Sequence, residues 1–370
     1  MPALVPDLRA IGTRFQLYGT LVDARPYGTG HINDTFAATY DQAGTYVRYI
    51  HQRLNASIFK QPEALMDNIA RVTAHAGRRV DGLPDAARRA LTLVPSRDGR
   101  PFIRDDDNRM WRTYLFIEGA RTFDLIESEA QAEAGARAFG AFQRLLADLP
   151  GARLHETIPG FHHTPGRFQA CVAAIDADVM NRANDARDAI SFAMARGGDV
   201  TRLVDAHARG DIPERITHND TKLNNVMLDL TTGEGLCVID LDTTMPGLAP
   251  YDYGDMVRTA TNSAAEDEQD VSRVTSRAGM FDALARGFLE AAGSVLTAGE
   301  IEHLAFAGQL MTFECGIRFL ADHLQGDIYF RTHRPGQNLD RARVQFALVA
   351  SMERQMEAFE RIVRSYWRQV

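Results

Sequence analysis

The chain of 370 residues is 45% hydrophobic and 24% charged, an ordinary globular composition that at roughly 150 residues per domain suggests two domains. Its formal net charge of -8 argues against a general binder of nucleic acid or acidic membrane, both of which want a basic surface. Cys171, Cys237 and Cys315 lie far apart and form no CxxC, so neither a disulfide framework nor a zinc knuckle is indicated. The first residues lack the basic start and apolar run of a signal peptide, and no apolar stretch nears the roughly 20 residues of a membrane span. The expectation is a cytoplasmic protein.

The first third reads as strands. Residues 21–27 and 35–40 flank a short polar loop, Gly28-Thr29-Gly30-His31-Ile32-Asn33-Asp34, and residues 45–54, rich in β-branched and aromatic side chains, give a third antiparallel strand. Pro62 suits the first turn of a helix, with Ala64, Leu65, Ile69 and Val72 as its apolar face. Extended runs follow at 91–95, 101–104 and 110–117. The expectation is a small meander with one helix inserted after its third strand. From Gly119 the pattern turns helical: 127–149, 168–195, 280–292 and 344–367, the last carrying Val349, Met352, Met356, Phe359, Val363 and Trp367 at three- and four-residue intervals. A boundary near Glu118 divides the chain into a sheet-rich lobe, 1–118, and a helical lobe, 119–370.

One run departs from this pattern. In Ile216-Thr-His-Asn-Asp220-Thr-Lys-Leu-Asn-Asn225-Val-Met-Leu-Asp229, residues 226–228 form a short apolar strand, and residues 236–239 form a second after a tight turn. An antiparallel hairpin brings its two open ends together, so Asp220 and Asn225 before it would neighbour Asp240 and Asp242 after it. Four hard oxygen donors suit Mg2+ rather than zinc. Phosphoryl transfer needs a carboxylate for the attacking hydroxyl, an amide and a carboxylate for magnesium, and a cation, which Lys222 would supply. A metallohydrolase built on His218, Asp220, Asp240 and Asp242 lacks any second H-x-H or H-E-x-x-H to support it.

His218-x-Asp220-x-Lys222-x-x-Asn225 followed by Ile239-Asp240-Leu241-Asp242 resembles the catalytic loop and magnesium aspartate of protein-kinase-like enzymes. The H-x-D form without arginine is similar to the aminoglycoside phosphotransferase and choline kinase superfamily. The stretches 28–35, 217–229, 238–247, 251–258, 314–320 and 332–341 resemble most the bacterial N-acetylhexosamine 1-kinase group. That resemblance implies a two-lobed α+β fold with ATP and Mg2+ in the cleft, acting on a small sugar or alcohol. It implies Asp220 as the base or hydroxyl-positioning carboxylate, Lys222 near the γ-phosphate, and Asn225, Asp240 and Asp242 on magnesium. Asp220, Asn224 and Arg318 would meet the acceptor. Gly28, Gly30, His31, Asn33 and Thr35 would cover the phosphates, and Phe116, Ile117 and Glu118 would form the hinge at adenine. His218 would shape the loop, and Asp252 or Asp255 would accept its backbone hydrogen bonds.

The strand at 46–54 lacks the lysine of kinases. Arg53 is the best available cation, with Arg48 the alternative on the opposite face, and Glu63 or Asp67 is its candidate helix partner. Glu314 and Arg318 lie four apart, so a surface ion pair competes with a role for Arg318 at the acceptor. His162-His163 reads as loop. The acceptor expected from the resemblance is the anomeric hydroxyl of an N-acetylhexosamine. Choline, a hydroxylated amino acid or an aminoglycoside are alternatives, and the missing lysine leaves open a catalytically inactive binding module.

Overall fold

The computed structural model describes residues 6–28 and 32–368. A short helix α1 (Leu8–Thr13), capped by Asp7, leads into β1 (Thr20–Pro26), β2 (Asp34–Gln42) and β3 (Thr45–Arg53), which pair antiparallel in sequence order. Helix α2 (Pro62–Val80) starts on its proline and buries Leu65, Met66, Ile69 and Val72. After α3 (Ala86–Arg89) come β4 (Leu93–Val94), β5 (Ile103–Arg104) and β6 (Met110–Leu115).

The sheet order is β1-β2-β3-β6-β4, with β5 also pairing β6, so the expected meander is corrected at this point. β6 is buried along almost its whole length and takes the central place beside β3, while the two-residue strands β4 and β5 share its far edge. Alternation sorts the side chains of the central pair. Met110 and Tyr114 join the large core with Ile50, whereas Trp111 and Tyr49 pack on the other side with Phe15 and Phe36. Gln52 stands directly opposite Arg112 in the register.

After β7 (Ala120–Arg121) come α4 (Glu129–Leu146), α5 (Thr164–Ala177), α6 (Arg187–Met194) and α7 (Arg202–Ala208). The single helix expected at 168–195 is two. The chain turns at Asp178 and Asn181, with φ of 34° and 52°, and the Asp178 carboxylate accepts from the amides of Arg182 and Ala183 at 2.7 and 3.0 Å. Aspartate and asparagine tolerate the left-handed region and cap locally, so they end helices that apolar spacing alone would continue.

The hairpin run forms β8 (Arg215–Thr217), β9 (Val226–Asp229), β10 (Gly235–Val238) and β11 (Met245–Gly247). β9 lies between β10 and β7, and β8 pairs with β11. Four helices close the fold: α8 (Ala249–Thr261), α9 (Ala278–Ala292), α10 (Ala298–Gln325) and α11 (Gln337–Trp367). The 28-residue α10 opens on a capping box between Thr297 and Glu300. It is buried on nearly all sides, so it carries no one-sided apolar stripe to betray it in the sequence. Among the described residues no helix is long and apolar enough to cross a membrane.

Glycines bring α4 and α9 into backbone contact. A Cβ at Gly140 would lie 2.6 Å from the Phe288 carbonyl oxygen, and one at Gly287 would collide with the Glu133 carbonyl. Backbone atoms cannot step aside as a side-chain tip can, so Gly287→Ala is expected to cost about 1–3 kcal/mol by overpacking. Urea denaturation of wild type and variant checks this; an unchanged midpoint would refute the close contact.

Candidate active site

Between the first sheet and the β9–β10 hairpin lies a cavity of about 620 Å3. One part is apolar, walled by Ile50, Leu91, Tyr114, Ile117, Met227 and Ile239; at the other gather Asp220, Lys222, Asn225, Asp240 and Asp242. The hairpin makes this gathering. Val226 pairs with Val238, and the Ile239 amide donates to the Asn225 carbonyl at 2.9 Å, which places Asn225 beside the residue before Asp240.

The loop carrying Asp220 leaves β8 through Asn219 at φ 63°, a left-handed conformation that asparagine tolerates. Asp252, fully buried on α8, accepts from the amides of His218 and Asn219 at 2.9 and 2.8 Å and from Gln143 at 2.6 Å. Its own carbonyl takes the Thr221 hydroxyl at 2.5 Å. Asp255 instead pairs with Arg258 at 2.7 Å, so of the two expected anchors the structure puts Asp252 on the loop. His218 is buried against Phe139 and Phe142. Its Nε2 donates to the Ile239 carbonyl at 2.9 Å, and its Nδ1 receives the Asp220 amide at 3.3 Å.

Asp220 is half-buried, with Lys222 Nζ 3.1 Å from Oδ1 and Asn225 Nδ2 3.2 Å from Oδ2. Burial alone would lower the Lys222 pKa, but the Asp220 and Asp255 carboxylates outweigh it and hold the ammonium above its ordinary value. Asp240, at φ 59°, opens onto the cavity yet is enclosed by its walls. That enclosure, then the charges of Asp242 and Asp220, push its pKa up to about 6.

Asp242, expected on magnesium, lines the cavity and is held from two sides: Oδ1 takes a buried ion pair with Arg112 of β6, and Oδ2 accepts from Asn33 Nδ2 at 2.6 Å. Arg112 Nε also donates to Gln52 at 2.9 Å, and Gln52 donates to Thr35 at 3.0 Å. Arg112 is thus a buried cation of the sheet that meets Asp242, and it is not among the cavity's lining residues. Arg53 lies on the opposite face of β3, paired with Asp34 at 2.5 Å and set over Trp111. Arg48 pairs with Glu118 and stacks on Phe116. The expected helix partners are engaged elsewhere, Glu63 with Arg104 and Asp67 with His155 at 3.3 Å and Arg71 at 3.9 Å. One signal for Arg112 lay in the sequence: a guanidinium between Met110 and Tyr114 on the face that alternation turns inward.

Among the other expected residues, Gly28, Asn33, Thr35, Phe116, Ile117 and Asn224 line the cavity. Gly28 holds φ 83°, which a side chain would resist. Gly30 and His31 lie outside the described residues. Glu118 turns away, its carboxylate on Arg48 and its carbonyl accepting from Arg88 at 2.8 Å. Asn224 Oδ1 is buried without a partner. Arg318 is not among the cavity's lining residues; its guanidinium lies over Tyr329 and Phe330. Glu314 bonds His162 and Thr164, so the i,i+4 ion pair with Arg318 does not form.

Among the described residues no three His, Cys, Asp or Glu side chains converge as a self-sufficient metal cage. Asn225 and Asp240 form a two-donor set, which fits Mg2+, since that ion usually keeps waters and completes its shell with substrate phosphates. The raised pKa of Asp240 is the mark of a carboxylate that a dication would relieve.

A family model described as the phosphotransferase enzyme family matches residues 23–293. Among solved structures, an aminoglycoside phosphotransferase from Alicyclobacillus acidocaldarius is 13% identical, with a TM-score of 0.58 over 100% of this chain and 98% of that one. A microcompartment-associated aminopropanol kinase is 17% identical, with a TM-score of 0.54 over 95% and 98%. A choline kinase from Cryptosporidium parvum is 12% identical, with a TM-score of 0.53 over 93% of each chain. At these identities the likeness concerns the fold, a kinase-like α+β arrangement.

The Arg112–Asp242 pair has a measurable signature. Arg112→Met leaves a buried carboxylate uncompensated and is expected to cost about 3–5 kcal/mol of stability. Adding Asp242→Asn should recover much of that loss. A double-mutant cycle in urea decides, and additive losses would show that the two groups do not interact.

Proposed function

The chain belongs to the phosphotransferase enzyme family, and on that premise we propose that it is an ATP- and Mg2+-dependent kinase of a small hydroxyl compound. The acceptor we assign is the anomeric hydroxyl of an N-acetylhexosamine, giving the sugar 1-phosphate. The observation that carries the kinase reading is the convergence of Asp220, Lys222, Asn225 and Asp240 in one cavity that also has an apolar wall. The apolar part, with Phe116 and Ile117 on its wall, is the place for adenine, and Gly28, Asn33 and Thr35 lie where phosphates would run. A spectinomycin phosphotransferase of similar fold, 13% identical with a TM-score of 0.51 over 92% of this chain and 94% of that one, is known in complex with ADP and spectinomycin, which supports nucleotide use.

Asp220 would orient the acceptor hydroxyl toward the γ-phosphorus and take its proton as the new O–P bond forms and the bond to ADP breaks. An anomeric hydroxyl is more acidic than an ordinary alcohol, so this carboxylate need only collect a late-released proton. Lys222 would stand against charge on the transferred group. Asn225 and Asp240 would hold Mg2+, which when bound would supply positive charge against the phosphates. The presence of Asp220, Asn225 and Asp240 at the cavity argues against the inactive binding module that the missing lysine left open.

The acceptor assignment rests on the motif resemblance.

The test is ATP consumption with a panel of N-acetylhexosamines, hexoses, choline and ethanolamine, followed by phosphorus NMR of the product. Phosphate on C1 of an N-acetylhexosamine is expected; turnover of amino alcohols alone would reject the sugar. Asp220→Asn should lower kcat by about 10^2–10^4-fold while ATP with magnesium still raises the melting temperature. A variant retaining most of its rate would remove Asp220 from its role.

A further inference from the structure

We propose that His162 is a positioning residue for phosphoryl transfer: a buried imidazolium, clamped between Glu314 and the Asn219 carbonyl, that fixes the peptide from which Asp220 projects. The proposal rests on the reading of Asp220 as the hydroxyl-orienting carboxylate. Nothing in the sequence suggested it, since His162 lies in a Pro/Gly-flanked stretch that reads as loop.

The geometry leaves the ring little choice. Nδ1 lies 2.9 Å from Glu314 Oε1, and Nε2 lies 2.9 Å from the Asn219 carbonyl oxygen. The carbonyl only accepts, so Nε2 carries a proton. Nδ1 then either donates to a Glu314 carboxylate or receives a proton from a Glu314 carboxyl. Thr164 already donates to the other oxygen, Oε2, at 2.6 Å, and Arg318 adds a favourable charge. Both favour the carboxylate, and with it a ring protonated on both nitrogens. The side chains are 7% and 1% exposed, so the pair stands in a weakly screened setting.

The two partners belong to different parts of the active region. Glu314 is on α10, one helical turn from Arg318; Asn219 is the left-handed residue before Asp220. The Asn219 carbonyl and the Asp220 amide form one peptide plane. His162 holds that plane by the oxygen, and His218 receives its N–H at 3.3 Å. Tilting the plane swings the Asp220 side chain, and misplacement of a reacting group by about 1 Å costs up to ~10^2-fold in rate.

The groups facing His162 are Glu314 from α10, Asp255 and the Tyr251 ring from α8, Phe161 beside it, and the Asn219 carbonyl. Burial alone would lower the ring's pKa; Glu314, the carbonyl and Asp255 outweigh it and hold it above the ordinary histidine value. Glu314 moves the opposite way: burial would raise it, but His162 and Thr164 keep it below the usual glutamate value. A histidine whose folded pKa is raised keeps its interaction at low pH and loses it as pH rises through the folded value. The clamp therefore weakens on the alkaline side.

Two measurements on the full chain test this. Nitrogen-resolved NMR of the histidine rings, with His162→Gln locating the resonance, should show His162 protonated on both nitrogens at pH 7. A ring neutral there overturns the proposal, whatever the acceptor proves to be. In kinetics, His162→Gln should lower kcat about tenfold or more, leave KM for ATP within about twofold and flatten the alkaline decline. Rates are read with whichever acceptor of the panel turns over, or as ATP hydrolysis. Glu314→Gln, which keeps the ring but removes the charge beside it, should move the alkaline limb to lower pH, and it carries the test if His162→Gln does not fold. A kcat and pH profile unchanged in both variants overturns the proposal, whereas silence with every acceptor counts against the kinase reading alone.

Discussion

The buried carboxylate of Asp252 is the constraint on which the site depends. It draws three hydrogen bonds onto one group, from the His218 and Asn219 amides and from Gln143 of α4. Without it two amides of a loop in left-handed conformation would lie buried and unpaired, at about 1–3 kcal/mol each. Burial raises the carboxylate's own pKa, with His218 and those amides pulling the other way. The helices are arranged to hold it there. Gly254 lets α8 approach α10 so closely that a Cβ would contact the Met311 side chain at 2.6 Å, and the Gly140 and Gly287 contacts seat α4. Packing of helices is thereby converted into the bearing of a single loop.

A second constraint ties the sheet to that loop. The Arg112–Asp242 pair joins the centre of the first sheet to the turn after the hairpin, and Asn33 brings the segment before β2 to the same carboxylate. Burial alone would lower the arginine's pKa; Asp242 and Asp240 overcome it and keep the pKa above the ordinary value. Buried pairs of this kind seldom add net stability over apolar packing, but they are costly to break on one side. The pair is therefore better understood as fixing which residues meet than as strengthening the fold. A guanidinium suits the place, because its fork reaches Asp242 and Gln52 at once, which an ammonium on the same strand would do less directionally.

What the sequence disclosed and what it hid follow from the range of the interactions. The hairpin was legible because two apolar runs and a tight turn lie within 20 residues, and closing a short loop brings known side chains together. The sheet strands were legible from alternation, and α4 and α11 from their apolar spacing. The partner of Arg112 was not, since it lies 130 positions away; alternation turns this arginine inward but says nothing of what it meets. His162 was hidden for the same reason, its partners being 57 and 152 positions distant. Helix α10 failed the opposite test: a helix buried all round has no polar face to set its period. The order of the first sheet also exceeded local reading, because β6 took the centre through burial on both faces.

The charge arrangement in the cavity bears on how such a site works. At its polar end stand three carboxylates, Asp220, Asp240 and Asp242, with Lys222, while Arg112 is buried behind Asp242. Arg112 is committed to Asp242 and Lys222 to Asp220, so Asp240 is the group left without a cation of its own, and it is the one whose pKa climbs to about 6. The structure thus concentrates its uncompensated negative charge at a single side chain beside Asn225. On the proposed reading a nucleotide alone would be repelled there, and Mg2+ bound with it would relieve that repulsion while the phosphates completed its shell. The two would then bind best as one complex, with Asp220, its charge offset by Lys222, facing the acceptor hydroxyl.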